Sequence, residues 1–151
     1  MRVALALGSN LGDRDAILTR AAAALRGIVP DLKLSSTHET EYVGAGGAQP
    51  SYLNAAAVGE TALTAHGLLD ALLELERQFG RERPYPDAPR TLDLDLILYG
   101  MDIVDEPGLV VPHPRFRQRR FVLEPLAEIA ADWIDPITGR TVEELLRTLD
   151  S

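Results

Sequence analysis

The chain has no cysteine, which excludes a disulfide framework and a thiolate metal site. It has no apolar run approaching the ~20 residues that a membrane-spanning helix needs. Its first residues, Met1-Arg2-Val3-Ala4-Leu5-Ala6-Leu7-Gly8, are too short a stretch for a signal peptide and read as a first strand. Positive charge is in deficit: the net charge is −8 at pH 7, which argues against a general nucleic-acid binder. There is no Gly-x-x-x-x-Gly-Lys-Ser/Thr phosphate loop, and the Gly8-Ser9-Asn10-Leu11-Gly12 turn does not replace it because no lysine follows. No internal repeat, low-complexity segment or linker interrupts the chain. What remains is 151 residues, 46% apolar and 25% charged, enough for one domain with a genuine core over residues 1–151. A cytoplasmic location fits that composition.

The stretch Arg90-Thr91-Leu92-Asp93-Leu94-Asp95-Leu96-Ile97-Leu98-Tyr99 organises the rest. It alternates strictly at first and then fades into an apolar run, which predicts a strand with one wet face near its start. Asp93 and Asp95, two apart, project from one face; Leu92, Leu94 and Leu96 project from the other. Two carboxylates so close in a half-buried strand repel unless something positive lies between them. Nearby arginines could serve. The economical candidate is a divalent cation, and oxygen-only ligands suggest Mg²⁺.

The basic residues are unevenly placed. Arg77, Arg81, Arg83 and Arg90 flank the pair on one side, and Arg115, Arg117, Arg119 and Arg120 follow it on the other, so that these short stretches hold eight of the 15 basic residues. Carboxylates among several arginines compose a polyphosphate site: the acids hold Mg²⁺ and guanidinium forks neutralise phosphate oxygens. His113, between Pro112 and Pro114, is presented in a fixed direction and can donate a hydrogen bond to a phosphate. His38 and His66 read as structural or exposed.

Around this centre the periodicity predicts strand, helix, strand, strand, helix, strand. Strand one covers residues 2–8 and is followed by a turn over residues 8–13. Asp13 caps a helix whose apolar stripe is Ala16, Ile17, Ala21, Ala24, Leu25 and Ile28. Residues 32–43 form strand two, and Gly44 to Pro50 a glycine-rich loop, either a plain connection or a ligand lid. Tyr52 to Glu60 is strand three, with Tyr52 and Asn54 on one face, where a ring can stack on a ligand and an amide can bond it. A helix over 64–79, capped by Thr64, buries Leu68, Leu72, Leu75 and Phe79. The run from Arg81 to Pro89, with Pro84, Pro86 and Pro89, is a loop. Asp102-Ile103-Val104 is expected as a hairpin partner. Residues 121–131 form a helix interrupted early by Pro125, and residues 143–149 a last helix capped by Thr141. Trp133 reads as packing. The order is that of an α+β, ferredoxin-like βαββαβ sandwich, an antiparallel sheet with helices on one face and extra C-terminal helices.

In order along the chain, these motifs resemble the 6-hydroxymethyl-7,8-dihydropterin pyrophosphokinase family. The resemblance is carried by Gly8-Ser9-Asn10-Leu11-Gly12, Gln49-Pro50-Ser51-Tyr52-Leu53-Asn54-Ala55-Ala56, Glu76 with Gly80-Arg81, Ala88-Pro89-Arg90-Thr91-Leu92-Asp93-Leu94-Asp95, and Val111-Pro112-His113-Pro114 followed by Arg119, Phe121 and Pro125-Leu126. It implies a monomer that moves the β,γ-diphosphate of ATP to the pterin hydroxymethyl oxygen and releases AMP, in folate biosynthesis. It implies two Mg²⁺ on Asp93 and Asp95, with Arg81 and Arg90 acting on the phosphates. ATP would meet Leu69, Glu76, Arg81, Arg83, Arg90, Leu96, His113 and Arg119. The pterin would lie between Tyr52 and Phe121 and bond Thr40, the Val43 backbone and Asn54. Pro86 and Asp87 stand where relatives often carry a basic residue and a tryptophan. Two other readings compete: a two-metal nucleotidyl transferase or nuclease, which the negative charge weighs against, and a nucleotide-sensing module, which would need no paired carboxylates.

Overall fold

The computed structural model describes residues 1–10, 13–40, 52–80 and 92–150. The expected glycine-rich loop, the proline-rich loop, Val43, Arg81, Arg83 and Arg90 lie outside the described residues.

Small and branched residues alternate along the first strand, β1 (Arg2–Ser9), and both of its faces are buried: Val3, Leu5 and Leu7 on one, Ala4 on the other. The strand runs one residue past the expected 2–8, through Ser9, into the stretch expected as a turn. That burial suits a central position. β1 is flanked by β4 (Tyr52–Glu60) on one side and by β5 (Asp93–Tyr99) on the other, both antiparallel to it. Beyond β4 lie two short segments, β2 (Lys33–Leu34) and β3 (His38–Thr40), each antiparallel to it. The sequence predicted one strand over 32–43. It breaks because Ser35 turns inward: its hydroxyl accepts from the Ala56 N–H at 2.8 Å, so a polar side chain takes an inward position that alternation gave to a neighbour.

Two helices cover one face. In α1 (Arg14–Leu25) the Asp13 carboxylate accepts from the Ala16 N–H at 3.2 Å, and Ile17, Leu18, Ala21, Ala22 and Leu25 are buried. Leu18 and Ala22 replace Ala16 and Ala24 of the expected stripe, because an alanine-rich helix offers little contrast between its faces. In α2 (Ala65–Phe79) Thr64 accepts from the Gly67 N–H at 3.0 Å; Leu68 and Leu72 are buried, with Leu75 and Phe79 packed beside them. These helices meet Leu5, Leu7, Ala55, Leu92, Leu94 and Leu96 in one apolar layer.

The opposite face is also covered. α3 (Arg120–Ala130) and α4 (Val142–Asp150) pack Val122, Leu123, Leu126, Val142 and Leu145 against Ala4, Ala56, Val58, Ile97 and Leu98. The expected extra helices therefore form a second layer. α3 is continuous through Pro125. Pro125 is the sixth residue of α3 and has no N–H to donate to the Phe121 carbonyl, so the helix runs on with one backbone bond fewer. The α4 start is a reciprocal cap: Thr141 Oγ1 accepts from the Glu144 N–H at 3.2 Å, and Glu144 Oε1 accepts from the Thr141 N–H at 3.0 Å.

β5 supplies both layers because its register shifts. Ala4 faces Leu98 and Leu5 faces Leu96, leaving Ile97 as an extra residue. Leu92, Leu94, Leu96 and Tyr99 enter the α1–α2 layer, while Ile97 and Leu98 both enter the α3–α4 layer. The expected pairing of residues 102–104 with this strand is not found. β6 (Val104–Glu106) pairs instead with β7 (Leu109–Val111) across Pro107-Gly108, with Gly108 at φ 86° as the third position of a type II turn requires.

Candidate active site

Sheet register builds the site. Gly8 of β1 lies opposite Asn54 on one side and opposite Asp93 on the other. Two residues earlier Ala6 lies between Ala56 and Asp95. Cross-strand partners share a face, so Asn54 and the two aspartates rise from one surface whose middle strand carries only Ala6 and Gly8. Two strand spacings separate the amide from the acids, about 10 Å. Between them opens a cavity of about 490 Å³, also lined by Leu7, Thr40, Tyr52, Arg119 and Phe121. Its floor is flat because the central strand has almost no side chain there. Ala6 and Gly8 were not among the expected site residues. The small half of the β1 alternation was the signal for them.

The Asn54 side chain is buried, and its Nδ2 donates to Thr40 Oγ1 at 2.8 Å. Tyr52 faces Thr40 across the strand pair. Phe121, 40% exposed, opens α3, and the Arg119 guanidinium lies 5.5 Å from the Phe121 ring centroid. The lining therefore combines an amide and two aromatic rings with a carboxylate pair and a guanidinium that lies over the Phe121 ring.

His113 joins the acidic end. Its N–H donates to the Ile97 carbonyl at 2.9 Å, which fixes the loop to β5. Burial pushes the imidazole below its ordinary value; the Asp95 charge opposes this, and the Arg119 and Arg115 charges reinforce it. The Arg115 N–H donates to His113 Nδ1 at 3.1 Å. A neutral ring that accepts at Nδ1 carries its proton at Nε2 and offers it as a donor.

The remaining arginines of the second cluster have other partners. Arg117 donates through Nε and a terminal nitrogen to Asp135 at 2.5 and 2.9 Å. Asp135 is fully buried and also accepts from the Thr138 hydroxyl and the Ile137 N–H. Burial favours the neutral acid there, but these bonds outweigh it and hold the carboxyl below its ordinary range. This pair anchors the turn (Phe116–Gln118) that delivers Arg119. Arg120 bonds Glu124 at 3.1 Å.

Three expected nucleotide-side residues sit on the α2 side of β5. Leu69 packs against the apolar layer and Leu96 lies within it. Glu76 Oε2 accepts from the Leu94 N–H at 2.7 Å, between the two aspartates on the outer edge of β5. His66 bonds Glu106 at 2.8 Å, and His38 meets Glu128, both away from the cavity lining. Trp133 packs beside the α3–α4 layer, with the Arg2 guanidinium 4.1 Å from its ring centroid.

Among the described residues no group of three or more His, Cys, Asp or Glu could hold a metal ion. Asp93 and Asp95 give only two carboxylates, half-buried on one face. That donor set fits Mg²⁺, which keeps waters and takes substrate phosphate oxygens to complete its octahedron.

A family model described as 7,8-dihydro-6-hydroxymethylpterin-pyrophosphokinase matches residues 4–131. The 2-amino-4-hydroxy-6-hydroxymethyldihydropteridine pyrophosphokinase of Methylorubrum extorquens is 41% identical over 152 residues, covering 99% of this chain and 94% of that protein. The Synechocystis protein of the same name is 39% identical over 151 residues, covering 95% of this chain and 74% of its own. In fold, the chain is similar to the crystal structure of Plasmodium falciparum HPPK-DHPS wild type, with a TM-score of 0.77 at 12% identity, covering 97% of this chain and 44% of that one. It thus spans less than half of the solved chain it resembles. With most of its length matched and the Pro-Arg-Thr-Leu-Asp-Leu-Asp run inside the match, the chain belongs to the 7,8-dihydro-6-hydroxymethylpterin-pyrophosphokinase family.

Proposed function

We propose that this chain transfers the β,γ-diphosphate of ATP to the hydroxymethyl oxygen of 6-hydroxymethyl-7,8-dihydropterin, releasing AMP, as a step of folate biosynthesis. The observation that carries the reading is the row Asn54–Gly8–Asp93 across three strands. A flat bicycle held above the small residues Gly8 and Ala6 meets an amide at one edge and brings its substituent toward the acid pair at the other. Tyr52 and Phe121 bound the cavity at its amide end and suit the two faces of such a ring. Thr40 and Asn54 suit its polar edge, with the Val43 backbone as a further partner.

In the transfer, the hydroxymethyl oxygen bonds to the β-phosphorus. The bond from that phosphorus to the α,β-bridging oxygen breaks, AMP leaves with that oxygen, and the hydroxyl proton passes to water. The reaction needs in-line placement and charge neutralisation more than a strong base. Asp93 and Asp95 would hold Mg²⁺, two ions in this reading, and the metal supplies neutralisation of phosphate charge and a lowered pKa for the attacking hydroxyl. In this reading Arg119 and the Nε2 proton of His113 would meet the phosphates, and the family resemblance assigns Arg81, Arg83 and Arg90 to them as well. Leu69, Glu76 and Leu96 are assigned to the nucleotide side in the same reading.

The frame is taken as a ferredoxin-like βαββαβ sandwich in which β2 and β3 together count as its second strand. The sheet order β2–β4–β1–β5 supports this. In the same reading the chain is one domain over residues 1–151, working as a monomer in the cytoplasm. No helix among the described residues is long and apolar enough to cross a membrane.

The test is incubation with ATP, Mg²⁺ and reduced hydroxymethylpterin. AMP is expected to form one-for-one with pterin diphosphate. Formation of ADP, or no turnover, overturns the reading.

A further inference from the structure

The amide that recognises the ligand is oriented by a weakly built edge. Asn54 takes its direction from Thr40 Oγ1, and Thr40 ends a three-residue strand whose only ladder partner among the described residues is β4. The segment between β2 and β3 leaves the ladder after Ser35. Ser36 is held instead by α3, and the side chain of His38, the first residue of β3, reaches the same helix. The Ser36 N–H and hydroxyl donate to the two oxygens of Glu128 at 3.0 and 2.7 Å. His38 Nε2 meets the same carboxylate, and its Nδ1 lies 3.8 Å from Glu124. His38 stands opposite Asn54 in the register and shares its face with Thr40.

We propose that Glu128 is a positioning residue for the pterin end of the site, acting through Ser36 and His38 on Thr40 and so on the Asn54 amide. The proposal rests on the function given above. An amide presents either its oxygen or its NH2 group to a ligand, and a slipped Thr40 would release that choice. Glu128 supplies a charged acceptor, the strong kind. Burial alone would raise its carboxyl, but the bonds from Ser36 and His38 outweigh that and hold it below its ordinary value. α3 itself does not depend on Glu128, because Val122, Leu123 and Leu126 fix it in the apolar layer. Loss of Glu128 therefore frees the edge strand and leaves Phe121 in place.

The test varies each substrate in turn for wild type, Glu128→Ala, Thr40→Ala and the double variant. Glu128→Ala is expected to raise the KM for the pterin about tenfold while kcat and the KM for ATP stay unchanged. Thr40→Ala should show a similar rise, and the double variant little more than either alone, because both act on one amide. Glu128→Gln, which keeps an acceptor for Ser36 and loses the charge, should fall between, and it carries the test if Glu128→Ala does not fold. An unchanged pterin KM with wild-type turnover intact overturns the positioning role alone. A parallel change in both KM values, or full additivity with Thr40→Ala, also overturns it. Absence of AMP formation by the wild type overturns the function and this role together.

Discussion

A β-carbon on Gly8 would stand 3.2 Å from Asn54 Oδ1, closer than ordinary packing allows. Gly8 has no left-handed backbone angle, so the reason for glycine here is space and not conformation. Gly8→Ala should fold and bring a methyl group onto the cavity floor beside the amide. We expect the KM for the pterin to rise about tenfold or more, the cost of one misplaced methyl in a fitted pocket, with the KM for ATP unchanged. Steady-state kinetics with each substrate varied checks this.

The acid pair should behave as a unit. Asp93→Asn or Asp95→Asn is expected to lower AMP formation by about 10³-fold, the scale of losing charge stabilisation at a transferring phosphoryl group. Chelation with EDTA should stop wild-type turnover, and added Mg²⁺ should restore it. Near-normal rates in either variant would remove the metal assignment.

His113 makes stability depend on pH in the metal-free protein. Its imidazole lies below the ordinary 6.5, chiefly because burial disfavours the cation. As pH falls, the unfolded chain takes up that proton before the folded one. The contribution is whole above 6.5 and is lost as pH falls through the folded value. Urea unfolding at pH 7.5 and 5.5 should show a larger loss for wild type than for His113→Asn. Equal losses would show that burial of this ring does not set its charge.

Asp135→Ala should be the most destabilising of these changes. It leaves the Arg117 guanidinium, only 19% exposed, without its bidentate partner. Removing one member of such a buried pair costs about 3–5 kcal/mol. Urea denaturation measures it. A loss under about 1 kcal/mol, the scale of an exposed pair, would mean that Arg117 finds water instead.

β4 and α2 were legible in the sequence almost to the residue, because each has a clear period and, for α2, a threonine cap. The Asp93 and Asp95 side of β5 was legible for the same reason. What was not legible depends on distant partners. Ser35 turns inward only because the Ala56 N–H lies across from it. Val104 pairs with Val111 and not with β5, a choice made by the Pro107-Gly108 turn. Of the arginines after the acid pair, sequence could not say that Arg117 belongs to Asp135, because a buried carboxylate and an exposed one look alike in one dimension. The floor residues Ala6 and Gly8 were visible as small residues, but only the register shows what they lie between.

The extra residue at Ile97 has a consequence for how the molecule can change. Upstream of it, β5 lines the cavity with Asp93 and Asp95; from it onward, the strand feeds the α3–α4 layer through Ile97 and Leu98. The bulge uncouples the two jobs, since removing one residue there would re-aim everything after it and nothing before it. Substitutions that repack the second helical layer can therefore accumulate at one end of the strand while the acid pair at the other keeps its aim.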